Sequence, residues 1–494
     1  MNFTQRLSPT ILLGVVICLL SGCKRESVNW STLIEKYSKK GDSLYLKSVL
    51  YLRENNRDLT SEKITFIDNA TGRERDIRLD TIANDSILDA MLTNMDLDYK
   101  REEVSDLQIF STDYIDRHIE QAVGMWRRYP WTKDKPDSLF LNYLLPYKVL
   151  REAPSKNIDF FIEQYRTVID SMAYEKANTD VVYWKLNREV GKWFSFSGDD
   201  HTILSHSPSL DELLCIKKGA CYHYAILYAY MLKSAGIPAT VALVPKWGSK
   251  NGDHAEVLFM DSTGKMVTPE RNRLANASKI FWMTFKNQRI WSTEIKPLVG
   301  GYNFAIPYLK NDHWIDATTQ HRETVNIPFS LPGDIKVPFA YICVYNYGRW
   351  TPVFWGKVEA DNKGIFKNMG VDMLYSVGIP DIQDGYRLIG KTFLVDTSGN
   401  VHIVAPSSGF YAIMCLDKVN TGARSSVAKG ESYTLEYYDV NGKWEKLATK
   451  KCESTGVIEF QHVPANTIYR LINEVGDGRL ERPFTYDNEK PYWR

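Results

Sequence analysis

Residues 217–238 read KKGACYHYAILYAYMLKSAGIP, and what this stretch must form organises the reading of the rest of the chain. Gly219 permits a tight turn. From Cys221 onward, Ala225, Tyr228, Met231, Leu232 and Ala235 recur at helical spacing. Gly236 stops that helix and Pro238 forbids its continuation. The spacing therefore predicts a helix with Cys221 in its first turn. There the unpaired N–H groups and the positive end of the macrodipole favour a thiolate, the reactive form of cysteine. The same N–H groups can donate to an oxyanion.

Downstream, residues 239–245 (ATVALVP) read as a strand, and residues 247–253 as a polar, glycine-containing loop. His254 then opens a second strand, HAEVLFM, through Met260. Asp261–Gly264 is a turn, and residues 265–269 (KMVTP) complete a hairpin. His254 follows Cys221 by 254 − 221 = 33 residues, at the start of a strand that follows the helix. Such an arrangement lets an imidazole reach the thiol across the helix–sheet boundary and serve as its base. Upstream, residues 181–194 predict another helix, followed by a polar loop from Ser195 to Pro208.

The order Gly-Ala-Cys221, a helix ending Ala-Gly-Ile-Pro-Ala239, then Gly-Asp-His254-Ala-Glu-Val resembles the transglutaminase-like core over roughly residues 180–275. The resemblance implies a papain-like α+β fold in which Cys221 is the nucleophile and His254 its general base. The preceding block, with its Leu-Leu-Pro-Tyr147 and paired tryptophans, is similar to the helical prelude of transglutaminase-like lipoproteins from gut Bacteroidetes, which also carry β-rich C-terminal regions. One position departs from the family's pattern. Where an aspartate in a Val-Asp-Pro context usually orients the histidine, this chain reads Val267-Thr268-Pro269. Thr268 can orient an imidazole but cannot stabilise its charge. Glu270 is the nearest substitute in sequence and shares the face of Thr268 if the strand continues; Asp261 lies in the turn, too far away.

The neighbouring residues read more plainly. Cys215 is expected to be a buried thiol on the approach to the helix, and His223 to be solvated or supporting rather than catalytic. Trp184 stands near where transglutaminases hold an oxyanion-assisting indole, though a packing role is the simpler expectation. His201 and His206, with Asp199 and Asp200, show no accepted ligand spacing, so no metal site is read there. Neither a metal nor an organic cofactor is implied.

The N-terminus reads as an address. Arg6 precedes the apolar run Ile11–Leu20, too short to span a bilayer, and the run ends in Leu-Ser-Gly-Cys23. This resembles the lipobox of bacterial lipoproteins, which implies cleavage after residue 22 and acylation of Cys23 with palmitate-type chains. The implied location is the cell envelope, at the periplasmic face or the cell surface. Lys and Arg number 61 against 60 Asp and Glu, and the leader holds only Arg6, so the mature chain is neutral. Neutrality argues against an electrostatic nucleic-acid binder. Beyond Cys18 and Cys23 there remain Cys215, Cys221, Cys343, Cys415 and Cys452, an odd number that cannot all pair internally.

The expected layout is α+β: a signal peptide (1–22), a helical N-terminal region (23–120), the transglutaminase-like core (121–320), a β-sandwich domain (321–420) and a small β-rich domain (421–494). The aromatic block 126–147 is expected to be a packed helix pair broken at Pro130 and Pro146. Alternating runs such as residues 393–404 and 433–444, the latter with the hairpin signal Asn441-Gly442, support the β assignment. The expected activity is that of a lipid-anchored thiol hydrolase or acyltransferase on a peptide, protein or glycopeptide. The alternative is a catalytically impaired relative that binds glycan or peptide.

Overall fold

The computed structural model describes residues 28–75, 77, 85–155, 159–197, 208–422, 425–453, 456–476, 481–487 and 489–493. The leader, Cys23 and the loop holding Asp199, Asp200, His201 and His206 lie outside the described residues. Among the described residues, no helix is long and apolar enough to cross a membrane.

Helices α1 (Trp30–Ser38) and α2 (Ser43–Asn55) start on side-chain caps, Asn29 accepting from the Thr32 N–H and Asp42 from the Leu44 N–H. A strand pair follows, β1 (Thr60–Asp68) with its short partner β2 (Glu74–Arg75), then α3 (Asp85–Asn94) and β3 (Leu97–Ser105). These strands form an antiparallel sheet in the order β2-β1-β3, so the N-terminal region is not purely helical as the sequence suggested. Charged residues occupy most of β3 and only Leu97 is buried, so the strand carries no apolar alternation. Helix α4 (Thr112–Arg128), capped by Ser111, buries Ile115, Ile119, Val123 and Trp126 against α1 and α2. After it, Pro130 opens a single 3-10 turn, Phe140–Leu144 is one π-helical turn, and Trp131, Phe140 and Tyr147 are buried. The aromatic block is packing material.

Helices α5 (Asp159–Tyr174), α6 (Thr179–Val190) and α7 (Leu210–Ile216) lead to α8 (Cys221–Ser234). Eleven of the 14 residues of α8 are buried, because it is apolar on nearly every side and packed all round. Gly236 ends it at φ +71°, with the Met125 carbonyl 2.6 Å from where a Cβ would stand, so the stop is also where α8 meets α4. Two residues from each flank pair in parallel ahead of α8, β4 (Ser195–Phe196) with β5 (Lys218–Gly219).

The chain then lays down β6 (Ala239–Val244), β7 (His254–Met260), β8 (Met266–Val267), β9 (Phe281–Met283) and β10 (Trp314–Asp316) in one sheet ordered β10-β9-β6-β7-β8. Helix α8 packs on β6 and β7. The β6–β7 register pairs Val244 with His254, and the β7–β8 register pairs Phe259 with Val267.

Past residue 320 the chain is β-structure. Strands β11 (Thr324–Ser330) and β14 (Lys363–Gly370) pair; β12 (Phe339–Asn346), β13 (Arg349–Lys357), β15 (Met373–Asp381), β16 (Gly385–Val395) and β17 (Val401–Ile403) form a sheet ordered β13-β12-β15-β16-β17. This unit shares one continuous apolar core with the α8 sheet. A second unit repeats the plan: β18 (Phe410–Leu416) pairs with β21 (Ile458–Pro464), beside the sheet β20-β19-β22-β23-β24. That sheet comprises β19 (Ser432–Tyr438), β20 (Trp444–Lys451), β22 (Ile468–Asn473), β23 (Phe484–Asp487) and β24 (Lys490–Trp493). Because β18 pairs with β21, the second unit begins before residue 410, ahead of the join at 420 read from the sequence. Its own core holds Met414, Leu435, Phe460 and Leu471.

Candidate active site

The approach to α8 is built so that Cys221 begins the helix. Ser209 and Glu212 form a reciprocal capping box at α7, which ends one residue before Lys217 turns left-handed at φ 57°. At Gly219 a Cβ would stand 2.5 Å from the Cβ of His223, so only glycine lets the chain pass. His223 is buried, and its Nδ1 accepts from the Ala220 N–H at 2.9 Å, which fixes the proton on Nε2. The sequence placed this ring as solvated or supporting; it is a buried clasp on the start of the helix, two residues past the thiol.

Cys221 at the start of α8 and His254 at the start of β7 line one cleft, close enough for the sulfur to feel both the imidazole and the Ala255 N–H. Burial pushes the Cys221 thiol up, but its interaction with His254, the Ala255 N–H and the imidazole's charge together bring it below the usual thiol range. For His254, burial lowers the ring, and its interactions with Cys221 and Glu256 outweigh that and leave it above the usual imidazole range. The pair is thus biased toward thiolate and imidazolium.

Glu256 is the carboxylate beside this ring. Side chains alternate along a strand, so residues 254 and 256 share a face. His254 Nε2 lies 3.8 Å from Glu256 Oε2, with both side chains largely buried. That separation is an ion-pair contact and exceeds ordinary hydrogen-bond length; neither atom makes a hydrogen bond by strict geometry. The contact is a loose one.

The two residues read from sequence as possible third members do other things. The β7–β8 ladder ends at Val267, so the strand does not continue through Thr268 and Glu270. Thr268 is buried, and its hydroxyl donates to the Glu270 carbonyl at 3.1 Å. The Glu270 carboxylate faces outward and pairs with Arg273 at 3.4 Å. Sequence reasoning missed Glu256, although strand alternation from His254 was the signal that locates it.

Cys221, His254 and Glu256 line a cleft of about 320 Å³ that is also lined by the aromatic rings of Tyr183, Trp184, Phe196, Tyr224 and Tyr228. Trp184 is 46% exposed and Phe196 66%, so both rings are open to an incoming group. Trp184 therefore belongs to the cleft rather than to the core. Glu270 and Arg273 form a charged edge. Cys215 is half-buried, Cys343 and Cys452 are buried and Cys415 is exposed; none of these, nor Cys221, forms a disulfide in the described residues.

Residues 166–289 match the family model described as the Transglutaminase-like superfamily, a span holding Cys221, His254 and Glu256. No curated protein matches the chain. Among solved structures, red sea bream transglutaminase aligns over 90% of this chain and 78% of its own, at 9% identity and a TM-score of 0.18. A tetra-tandem repeat from the extending region of a large adhesion protein aligns over 49% of this chain at 11% identity and a TM-score of 0.11, and the chain spans 64% of that structure. Neither superposition is close enough to carry an argument. The family model and the geometry of α8 with its sheet make residues 166–289 a transglutaminase-like superfamily domain.

Proposed function

We propose that this chain is a lipid-anchored envelope protein that cleaves or transfers acyl groups of peptide or amide substrates through a Cys221 thioester. The observation that carries this reading is that Cys221 and His254 face one cleft, each within electrostatic reach of the other. In the reaction the Cys221 sulfur attacks the substrate's carbonyl carbon, forming a C–S bond and a tetrahedral oxyanion. N–H groups in the first turn of α8 can face that oxyanion. The intermediate collapses with cleavage of the C–N bond, and the His254 imidazolium gives its proton to the departing amine. Water, or a second amine, then attacks the thioester while His254 takes up its proton. Release of the acid, or of the new amide, returns sulfur and imidazole to their starting state. Thioester chemistry of this kind draws on no metal or organic cofactor.

Glu256 is assigned to hold the His254 ring and favour its charged form. The Leu-Ser-Gly-Cys23 motif supports attachment to a bacterial membrane, since two or more acyl chains on one cysteine make a durable tether.

The test is thiol labelling of the mature chain with limiting iodoacetamide at about pH 6, mapped by mass spectrometry. An activated site labels at Cys221 ahead of the more exposed Cys415, whose thiol burial and the neighbouring Glu459 push up. In His254→Ala that preference disappears. Labelling of Cys221 no faster than Cys415 in the unaltered chain would leave the binding-module alternative, in which the exposed Trp184 and Phe196 rings hold glycan or peptide without turnover. Incorporation of an alkynyl palmitate analogue, lost in Cys23→Ala, tests the anchor separately.

A further inference from the structure

The loop that delivers His254, residues 245–253, is held from two directions. On the side of its own domain, Trp247 bridges to Ala277 and the Ser278 hydroxyl donates to the Lys246 carbonyl at 3.0 Å. On the other side it is gripped by the β-units. Asn346, the buried last residue of β12, gives its Nδ2 hydrogens to the carbonyls of Trp247 (3.3 Å), Lys250 (3.3 Å) and Gly252 (3.1 Å). Its Oδ1 accepts from the Gly252 N–H at 3.1 Å. The Tyr347 N–H donates to Asn251 Oδ1 at 3.1 Å.

The second β-unit reaches the same loop with Arg482, a guanidinium only 1% exposed. One of its nitrogens donates to the Tyr345 carbonyl at 2.6 Å and to Asn251 Oδ1 at 3.2 Å, and another donates to the Gly248 carbonyl. At Gly248 a Cβ would stand 2.2 Å from Met373 Sδ, so the loop lies directly against β15. Trp247, fixed by this clamp, packs its ring 5.7 Å from the His254 ring at 31°.

We infer that Asn346 and Arg482 are positioning residues for the active site, holding the 245–253 loop and Trp247 so that His254 meets Cys221. The inference rests on the Cys221–His254 acyl-transfer reading. It makes both β-units part of the machinery that sets the catalytic geometry, beyond any binding they perform. A planar amide at 346 and a forked guanidinium at 482 suit the task, because each engages several backbone groups of an irregular loop at once.

The test uses the full mature chain and the pH dependence of Cys221 carboxymethylation by iodoacetamide. In the unaltered chain the rate rises through an inflection below the ordinary thiol range. Asn346→Ala and Arg482→Met each move that inflection upward, toward the value of His254→Ala, and slow labelling near pH 7 by about tenfold. Arg482→Lys, which keeps one donor cluster, recovers part of the shift. Folded variants that keep the unaltered profile overturn the inference while leaving the Cys221–His254 reading intact. A profile unchanged in His254→Ala overturns that reading and the inference with it. If Asn346→Ala does not fold, amide exchange of the unaltered chain decides: Gly252 N–H exchanges slowly behind Asn346, and exchange at the rate of an open loop overturns the clamp.

Discussion

His254 and Glu256 stand two residues apart on β7 with Nε2 3.8 Å from Oε2, a carboxylate on the histidine's own strand where the superfamily pattern leads one to look on the next. The electrostatic consequence is direct. A buried negative charge beside the ring favours imidazolium, and imidazolium favours the Cys221 thiolate. The two groups titrate as a pair, so a pH–rate profile has an acid limb for formation of the thiolate–imidazolium pair and an alkaline limb for its loss.

Glu256→Gln keeps the side chain's size and removes its charge. The imidazolium is then less favoured, so the alkaline limb moves to lower pH. The rate of acyl transfer, or of Cys221 alkylation at neutral pH, falls by at least about tenfold. The loss stays short of the roughly 10⁴ that the corresponding change costs a serine-protease triad, because the contact here is looser. An alkaline limb that stays in place assigns Glu256 no part in holding the charge.

Thr268 and Glu270 give the complementary prediction. Thr268→Val removes a buried hydroxyl bonded to a backbone carbonyl and lowers stability by about 1 kcal/mol. Glu270→Gln removes half of an exposed ion pair, worth less than about 1 kcal/mol. Neither change moves the pH profile, and each leaves the labelling rate within about twofold, since the partners each change loses are not Cys221 or His254. A tenfold fall in Thr268→Val would return the orienting role to that hydroxyl.

What the sequence made legible follows from where local chemistry alone decides structure. Helix α8 and its stop could be read because Gly236 and Pro238 punctuate an apolar run, and the β6–β7 pair because one short, largely apolar run follows another across a polar loop. Cys221 and His254 came with those elements. The third member did not, because a one-dimensional pattern assumed that the hairpin's second arm runs on past Val267, where the ladder in fact ends. Strand β3 went unread because its sequence, LDYKREEVS, is mostly charged and buries only Leu97, so it carries no apolar alternation. The start of the second β-unit was misplaced because the partner of β18 lies more than 40 residues away, and no local signal announces a pairing at that distance. Asn346 and Arg482 were invisible for the same reason: their targets are backbone carbonyls, which carry no sequence.

The junction of α8 with α4 is tested at Gly236. Alanine there must adopt φ +71° and place its Cβ 2.6 Å from the Met125 carbonyl. The left-handed conformation costs about 1 kcal/mol and the clash adds to it, for a total of at least about 2 kcal/mol. Gly41→Ala, with nothing within 4 Å of the new Cβ, is the control. Urea unfolding of the two variants checks the difference: a lower midpoint for Gly236→Ala alone is expected, and equal midpoints would show that the helix stop tolerates a side chain.

His118 sets a pH dependence on the N-terminal unit. Its ring is buried on α4, with Nε2 2.6 Å from the Leu145 carbonyl and the Tyr114 and Tyr147 rings beside it. Burial, with a small contribution from the charge of Lys233, outweighs the Leu145 hydrogen bond and pulls the imidazole down to about 4. The unfolded chain binds this proton below about pH 6.5, and the folded chain only below about 4. The group's contribution is therefore complete above about pH 6.5 and is lost as the pH falls toward 4, amounting to about 3 kcal/mol across that window. His118→Gln retains a donor for the Leu145 carbonyl and removes the titration. Hydrogen exchange of the peptide spanning Thr112–Arg128 is the measurement, because it reports this helix without requiring the other units to unfold. The unaltered chain loses protection steeply between pH 6.5 and 4.5, beyond the loss seen in the variant; a difference between the two that is constant with pH would place the proton elsewhere.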